Sequence, residues 1–233
     1  MLKPLLITPF LMLATIILAP LLIRFGLVSP LAGFGATIGA WLVGAGAGLV
    51  AGLIGALKPD TRPLSWVALG VGVILTVALV AVVGRMPRAP IHDITTDFAS
   101  PPQFTVAADH PDNASRDLTY PHGPARTPEV QREVFPAVEG PIAATGTAAD
   151  AHARAIAVAE GLGWEVTWAS AAAGLVEAEV TSSIFGFVDD VVIRVQGDEG
   201  AVRVDLRSTS RVGQSDLGAN AARIMAFKEA WAQ

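Results

Sequence analysis

The sequence predicts an α+β protein: a three-helix transmembrane region followed by a soluble two-layer domain with an antiparallel sheet packed on helices. Three observations carry this. The runs Leu5–Ile23, Leu31–Leu57 and Leu64–Gly84 contain no Asp, Glu, Lys, Arg or His. Beyond them, segments of helical and of alternating apolar periodicity succeed one another. A turn sequence, Gly197-Asp-Glu-Gly200, then joins two stretches of alternating apolar residues.

A hydrocarbon core needs about 20 apolar residues per helical span, so each run is long enough to cross a bilayer. The first run holds Pro9 and Pro20, which spanning helices tolerate. No small-x-small cleavage site follows it, so it reads as a retained span rather than a signal peptide. The expected organisation is a transmembrane region over 1–85 (spans about 5–23, 31–57 and 64–84), a Pro-rich linker over 86–104, and a soluble domain over 105–233.

Up to Arg85 there are five basic residues and one acid, Asp60; the remainder carries eleven against twenty. An acidic domain repels nucleic acid and anionic lipid, so a nucleic-acid role is not expected. There is no cysteine, which removes disulfides and thiolate chemistry. No ionisable group interrupts the apolar runs, so conduction is not expected, and the region reads as an anchor. Lys3, Lys58 and Arg62 flank one side and Arg24, Arg85 and Arg88 the other. The positive-inside rule therefore ties, and only the N-terminal amine favours a cytoplasmic N-terminus. In a bacterium this means an inner-membrane protein with its C-terminal domain in the periplasm.

In the second run Ala36, Ala40, Gly44, Gly48, Gly52 and Ala56 recur every four residues. Small residues let helices approach closely. The stripe suits packing within this chain, a homo-oligomer, or a membrane-protein partner.

In the soluble part, Thr127-Pro-Glu opens a short helix ending near Pro136. A second helix covers Thr147 to Glu160 and stops at Gly161 and Gly163. Strands follow around Trp164–Trp168, Val176–Val180, Asp189–Gln196 and Ala201–Ser208. If Asp198-Glu199 is a two-residue turn, Val195 lies opposite Val202 and Asp190 opposite Arg207. Arg194 then faces Arg203, with Asp205 as the diagonal compensating charge. A last helix runs from an N-cap at Ser215 to Trp231, burying Asn220, Ile224, Phe227 and Trp231.

The segment from Arg207 to Arg223 concentrates polar chemistry. Asp189, Asp190, Arg207, Ser208, Ser210, Arg211, Asp216, Asn220 and Arg223 form a candidate ligand site, where guanidinium forks and free N–H groups could receive a phosphate, a carboxylate or a lipid head group. The same acids could instead neutralise the arginines internally. His92, Asp93 and Asp97, followed by Asp109 and His110, offer a weaker metal candidate in irregular chain. No Gly-x-Ser-x-Gly elbow, phosphate loop or dinucleotide fingerprint occurs, so no cofactor is expected and no catalytic residue is assigned.

The stretches Pro90-Ile-His-Asp-Ile-Thr-Thr-Asp-Phe with Pro101-Pro102, Phe185-Gly-Phe-Val-Asp-Asp-Val-Val-Ile-Arg194, and Arg207 to Arg223 together resemble the family catalogued as domain of unknown function 1499. The resemblance covers roughly Pro90 to Trp231 and leaves out the three apolar runs. Val188, before the Asp189-Asp190 pair, departs from the more polar residue expected there. The resemblance implies an envelope location and supplies no reaction. The leading expectation is a membrane-anchored binding or assembly module for a partner protein or anionic ligand. The rivals are a hydrolase using Asp189 or Asp190 with Arg207, and an accessory subunit of a larger membrane complex.

Overall fold

The computed structural model describes residues 3–86, 90–120 and 127–233. Arg88, counted above for orientation, and residues 87–89 of the expected linker lie outside these. The chain divides into two compact units: Met1–Met86 with Ser183–Gly186, and Pro87–Ser182 with Phe187–Gln233.

The first unit contains α1 (Lys3–Arg24), α2 (Pro30–Leu57) and α3 (Arg62–Val83). Each is long and apolar enough to cross a membrane. Ser29 caps α2 through the Ala32 amide, with Pro30 following at the first helical position. The small face of α2 is used inside this unit. A Cβ on Gly48 would collide with the Gly72 Cα and the Ala68 carbonyl of α3; one on Gly44 would strike Leu75 and Met12. Ala40, Gly44, Gly48 and Gly52 are buried, but Ala36 and Ala56 at the ends of the expected stripe are exposed. The reason is geometric. Each step of four residues overshoots a helical turn by about 40°, so a strict four-residue stripe winds off the contact face. Gly33 and Thr37 at one end, and Gly55 at the other, take the places expected of Ala36 and Ala56.

The second unit is a six-stranded, wholly antiparallel sheet with helices on one face. Its strands are β1 (Asp93–Thr95), β2 (Ile142–Ala144), β3 (Glu165–Ser170), β4 (Leu175–Thr181), β5 (Val188–Gln196) and β6 (Val202–Ser210). The order is β1-β6-β5-β4-β3, with β2 sharing the β6 edge beside β1. Its helices are α4 (Thr127–Val134), α5 (Ala148–Gly161) and α6 (Ala219–Trp231). β1 falls within 86–104, the stretch expected to be a linker. It is too short for period-2 alternation to register, and Gln131 holds it: the amide accepts from Thr95 N at 3.1 Å and donates to Thr95 O at 2.7 Å.

Thr147 opens α5 with a reciprocal capping box to Asp150. The helix-side core gathers Ile94, Val176, Val191, Ile193, Val204 and Leu206 from the sheet with Ala155, Ile224 and Phe227 from the helices. Asn220, Ile224, Phe227 and Trp231 are buried as the helical spacing implies. Phe227 stacks between Trp164 (5.5 Å) and Trp231 (5.9 Å).

Two local expectations are corrected. The β5–β6 register is shifted by two: Val195 pairs with Val204, Arg194 with Asp205, and Asp190 with Thr209, so Asp190 does not face Arg207. A two-residue turn would need positive φ at Asp198, and in its type I′ form at Glu199 as well. The chain places positive φ at Gly197 (118°) and Gly200 (82°) instead, and Ala201 N closes a turn on Asp198 O at 3.0 Å. The shift replaces the Arg194–Arg203 repulsion with opposite charges.

The last helix begins at Ala219, not near Ser215. Leu217 and Gly218 are left-handed, which breaks the helix there. The capping acid is Asp216, whose two oxygens accept from Gly218 N (2.9 Å) and Asn220 N (2.7 Å).

Candidate functional site

Strand alternation splits the nine candidate residues between two faces. Asp189, Ser208 and Ser210 turn toward the helices and meet Asn220 and Arg223; Asp190, Arg207 and Arg211 bond to groups on the opposite side. The segment does not form one site.

The helix-side group is tied together by hydrogen bonds. Ser208 donates to Asn220 Oδ1 at 2.6 Å, and Asn220 Nδ2 donates to Ser210 Oγ and to His92 O, both at 2.9 Å. Arg223 donates to Asp189 at 2.6 Å and to Ser208 Oγ at 2.9 Å. Asp216 stands at the end of the cluster. Burial, helped by the nearby Asp189 charge, raises its pKa against the hydrogen bonds from Asn220 and Gly218.

The opposite face is ionic, and the irregular chain over 96–120 bonds across it. Arg207 is fully buried. Its Nε and Nη2 donate to the two oxygens of Asp93 at 2.9 and 2.7 Å, and further bonds reach the carbonyls of Pro102 and Leu118. Phe104 and Tyr120 lie against the same guanidinium at 5.0 and 5.4 Å. Burial pushes the Tyr120 hydroxyl pKa up.

Asp190, also fully buried, accepts from Arg211, Arg116 and Asn113. Arg211 also reaches Glu179 at 2.5 Å. Burial works against its charge, but Asp190 and Glu179 together hold its pKa above the ordinary value. In Arg116 burial wins, and the pKa is lowered despite Asp190.

At the far end Asp97 and Asp205 share Arg194 and Arg203. Burial tends to raise the Asp97 pKa; the amides of Ser100 and Ala99 and the Arg194 guanidinium outweigh it and lower the pKa. Buried Glu177 accepts from three consecutive amides: Thr105 N, Val106 N (3.2 Å) and Ala107 N (2.7 Å).

Of the metal candidates, Asp93 and Asp97 are thus bound to arginines. His110 lies 3.8 Å from Asp112 and 3.9 Å from Glu179. Among the described residues no group of three or more His, Cys, Asp or Glu is gathered as a metal ion would require. Cavities of about 330 and 400 Å³ open beside α6, and neither is lined by any of the nine candidates.

Sequence reasoning missed Glu177, Asn113, Arg116, Gln131 and the partnership of Asp93 with Arg207. The available signal was compositional: a buried strand carrying Arg203, Asp205 and Arg207, with Arg211 just past its end, needs acids from elsewhere, and 93–112 supplies four of them.

The family model described as Protein of unknown function (DUF1499) matches residues 93–230. No curated protein and no solved structure matches the chain.

Proposed function

The chain belongs to the DUF1499 family of unknown function, and from that premise we propose that it is a membrane-anchored envelope protein whose C-terminal domain is a binding or assembly module for a partner protein. One observation favours a protein partner over a small anionic ligand. Arg207, Arg211 and Arg223, the cations that would hold an anion or assist a reaction, are each bonded to carboxylates of the domain itself. A ligand phosphate or carboxylate would have to displace a buried partner, which is costly.

The hydrolase reading finds little support. Asp189 and Asp190 lie on opposite faces of the sheet, and Asp190 accepts from two guanidinium groups and an amide. A general base needs a cleft and a reachable substrate proton. The accessory-subunit reading differs from the leading one only in which unit makes the contact.

The test is mild affinity purification of the full-length chain, followed by protein and lipid mass spectrometry. A stoichiometric protein partner supports the proposal. Recovery of the chain alone under several mild detergents refutes it. The proposed bacterial inner-membrane orientation has a separate test, made clean by the absence of cysteine. Ala172→Cys, at an exposed turn, should react in intact cells with a maleimide that does not cross the inner membrane. Labelling only after lysis would place the domain in the cytoplasm.

A further inference from the structure

The turn that joins β4 to β5 is apolar, where a turn facing water is ordinarily polar. From Val180 to Val188 the chain carries no charge, and the tip of the turn reads Ser183-Ile-Phe-Gly186. Ser182 N donates to Phe187 O at 2.8 Å, and Phe187 N donates to Ser182 Oγ at 2.9 Å, which closes the loop behind that tip. Ser183–Gly186 belongs to the apolar unit. The Phe185 ring meets Phe34 of α2 edge-on, with centroids 5.1 Å apart. A Cβ on Gly186 would touch Ile23 of α1 at 3.4 Å and Pro30 of α2 at 3.9 Å. Ile184, between them, keeps 59 % of its surface exposed.

These contacts fix the level of the tip along the helices. Ile23 immediately precedes Arg24, the basic residue that closes α1, and Pro30 is the first residue of α2. Phe34 lies one turn further in, about 6 Å along the axis. At the same end the α1–α2 connection exposes Phe25 and Leu27. In water these side chains and Ile184 are open apolar surface; at the boundary between head groups and acyl chains each has a partner. We propose that Ser183–Gly186 is a membrane wedge: Ile184 enters the acyl chains of the leaflet around the Arg24 end of the helices, while Phe185 holds the turn against α2. The inference rests on the three helices spanning a bilayer and is independent of the partner-protein reading.

The test uses the full-length chain in phosphatidylcholine nanodiscs, with a nitrobenzoxadiazole fluorophore on a lone cysteine introduced as Ile184→Cys, Ile74→Cys or Ala172→Cys. Ile74 is exposed within α3, and Ala172 lies at an exposed turn. Label at 184 should be quenched by a phosphatidylcholine bearing a nitroxide near the head of its acyl chain, and should lose the iodide quenching seen at 172. Iodide quenching at 184 as strong as at 172, with label at 74 quenched by lipid nitroxide, overturns the wedge alone. Label at 74 that escapes lipid nitroxides overturns the spanning reading and the wedge with it. Protection of 184 from both quenchers marks a protein contact, such as a second copy, and also overturns the wedge. A phosphatidylcholine carrying a diazirine near the head of its acyl chain should label 183–186 in the unsubstituted chain. Label confined to the helices overturns the proposal even if the fluorophore disturbs the turn.

Discussion

Asp93 and Arg207 form a fork-to-fork ion pair, buried on both sides, that fastens the first strand of the sheet to the sixth across 114 residues of chain. Removing one partner leaves the other charged and out of water. Arg207→Ala or Asp93→Ala should therefore destabilise the domain by about 3–5 kcal/mol. Replacing both with apolar residues of similar volume, Arg207→Met with Asp93→Leu, should recover most of that loss. Chemical denaturation of the three variants checks it. A double variant no more stable than the singles would mean that the bonds to Pro102 and Leu118 matter more than the pair.

Glu177 predicts a local effect. Its carboxylate receives three successive amides from Thr105 to Ala107, and no other side chain is described bonding them. Glu177→Leu leaves those amides without an acceptor and should speed hydrogen exchange over 104–108, while α5 keeps its protection. Uniform acceleration across the domain would show global destabilisation instead.

Asp97 and Asp216 predict pH effects of opposite sign. The lowered pKa of Asp97 means that its contribution is present above the unfolded value near 3.8 and is lost as pH falls through the folded value. The raised pKa of Asp216 means that the folded state binds the extra proton. Its stabilising contribution is therefore complete below about 3.8 and disappears as pH rises through the folded value. Asp97→Asn should flatten the acid limb of a stability–pH curve, and Asp216→Asn should remove the decline just above pH 3.8. Identical curves for both variants would contradict the assigned causes.

The hairpin register can be trapped by oxidation. Gln196 pairs with Arg203, so Gln196→Cys with Arg203→Cys should form a disulfide readily. Gln196→Cys with Ala201→Cys, the pair that a two-residue turn would bring opposite, should not. The chain has no native cysteine to interfere. Mass change after mild oxidation is the readout.

Within the apolar unit, Gly48→Ile should lower the melting temperature of the detergent-solubilised chain. Gly39→Ile should not, because nothing lies within 4 Å of a Cβ there. Equal effects would argue against the described Gly48–Gly72 approach.

The parts legible in the sequence are those set by local period. The apolar runs gave the long helices, and the spacing of Asn220, Ile224, Phe227 and Trp231 gave the buried face of α6. The alternation in β5 gave the faces correctly even though the register was off, because a shift of two residues preserves parity. The chain over 96–120 was not legible. Its bonds to Glu177 and Arg207 join side chains to backbone groups, and its bond to Asp190 joins two side chains; the partners lie some 70 to 105 residues apart and follow no repeat. The candidate cluster was found by composition but misjudged as one site. Adjacent residues such as Asp189 and Asp190 look like neighbours in sequence and face opposite ways in a strand.

The polar side of the sheet has a consequence for inheritance. Asp190 serves two guanidinium groups, Asp97 and Asp205 divide two more, and Arg116, Arg194 and Arg211 each answer to at least one further acceptor. A lineage that alters one member strands several others, so viable exchanges there should arrive as compensated sets, leaving this layer the slowest part of the molecule to diverge.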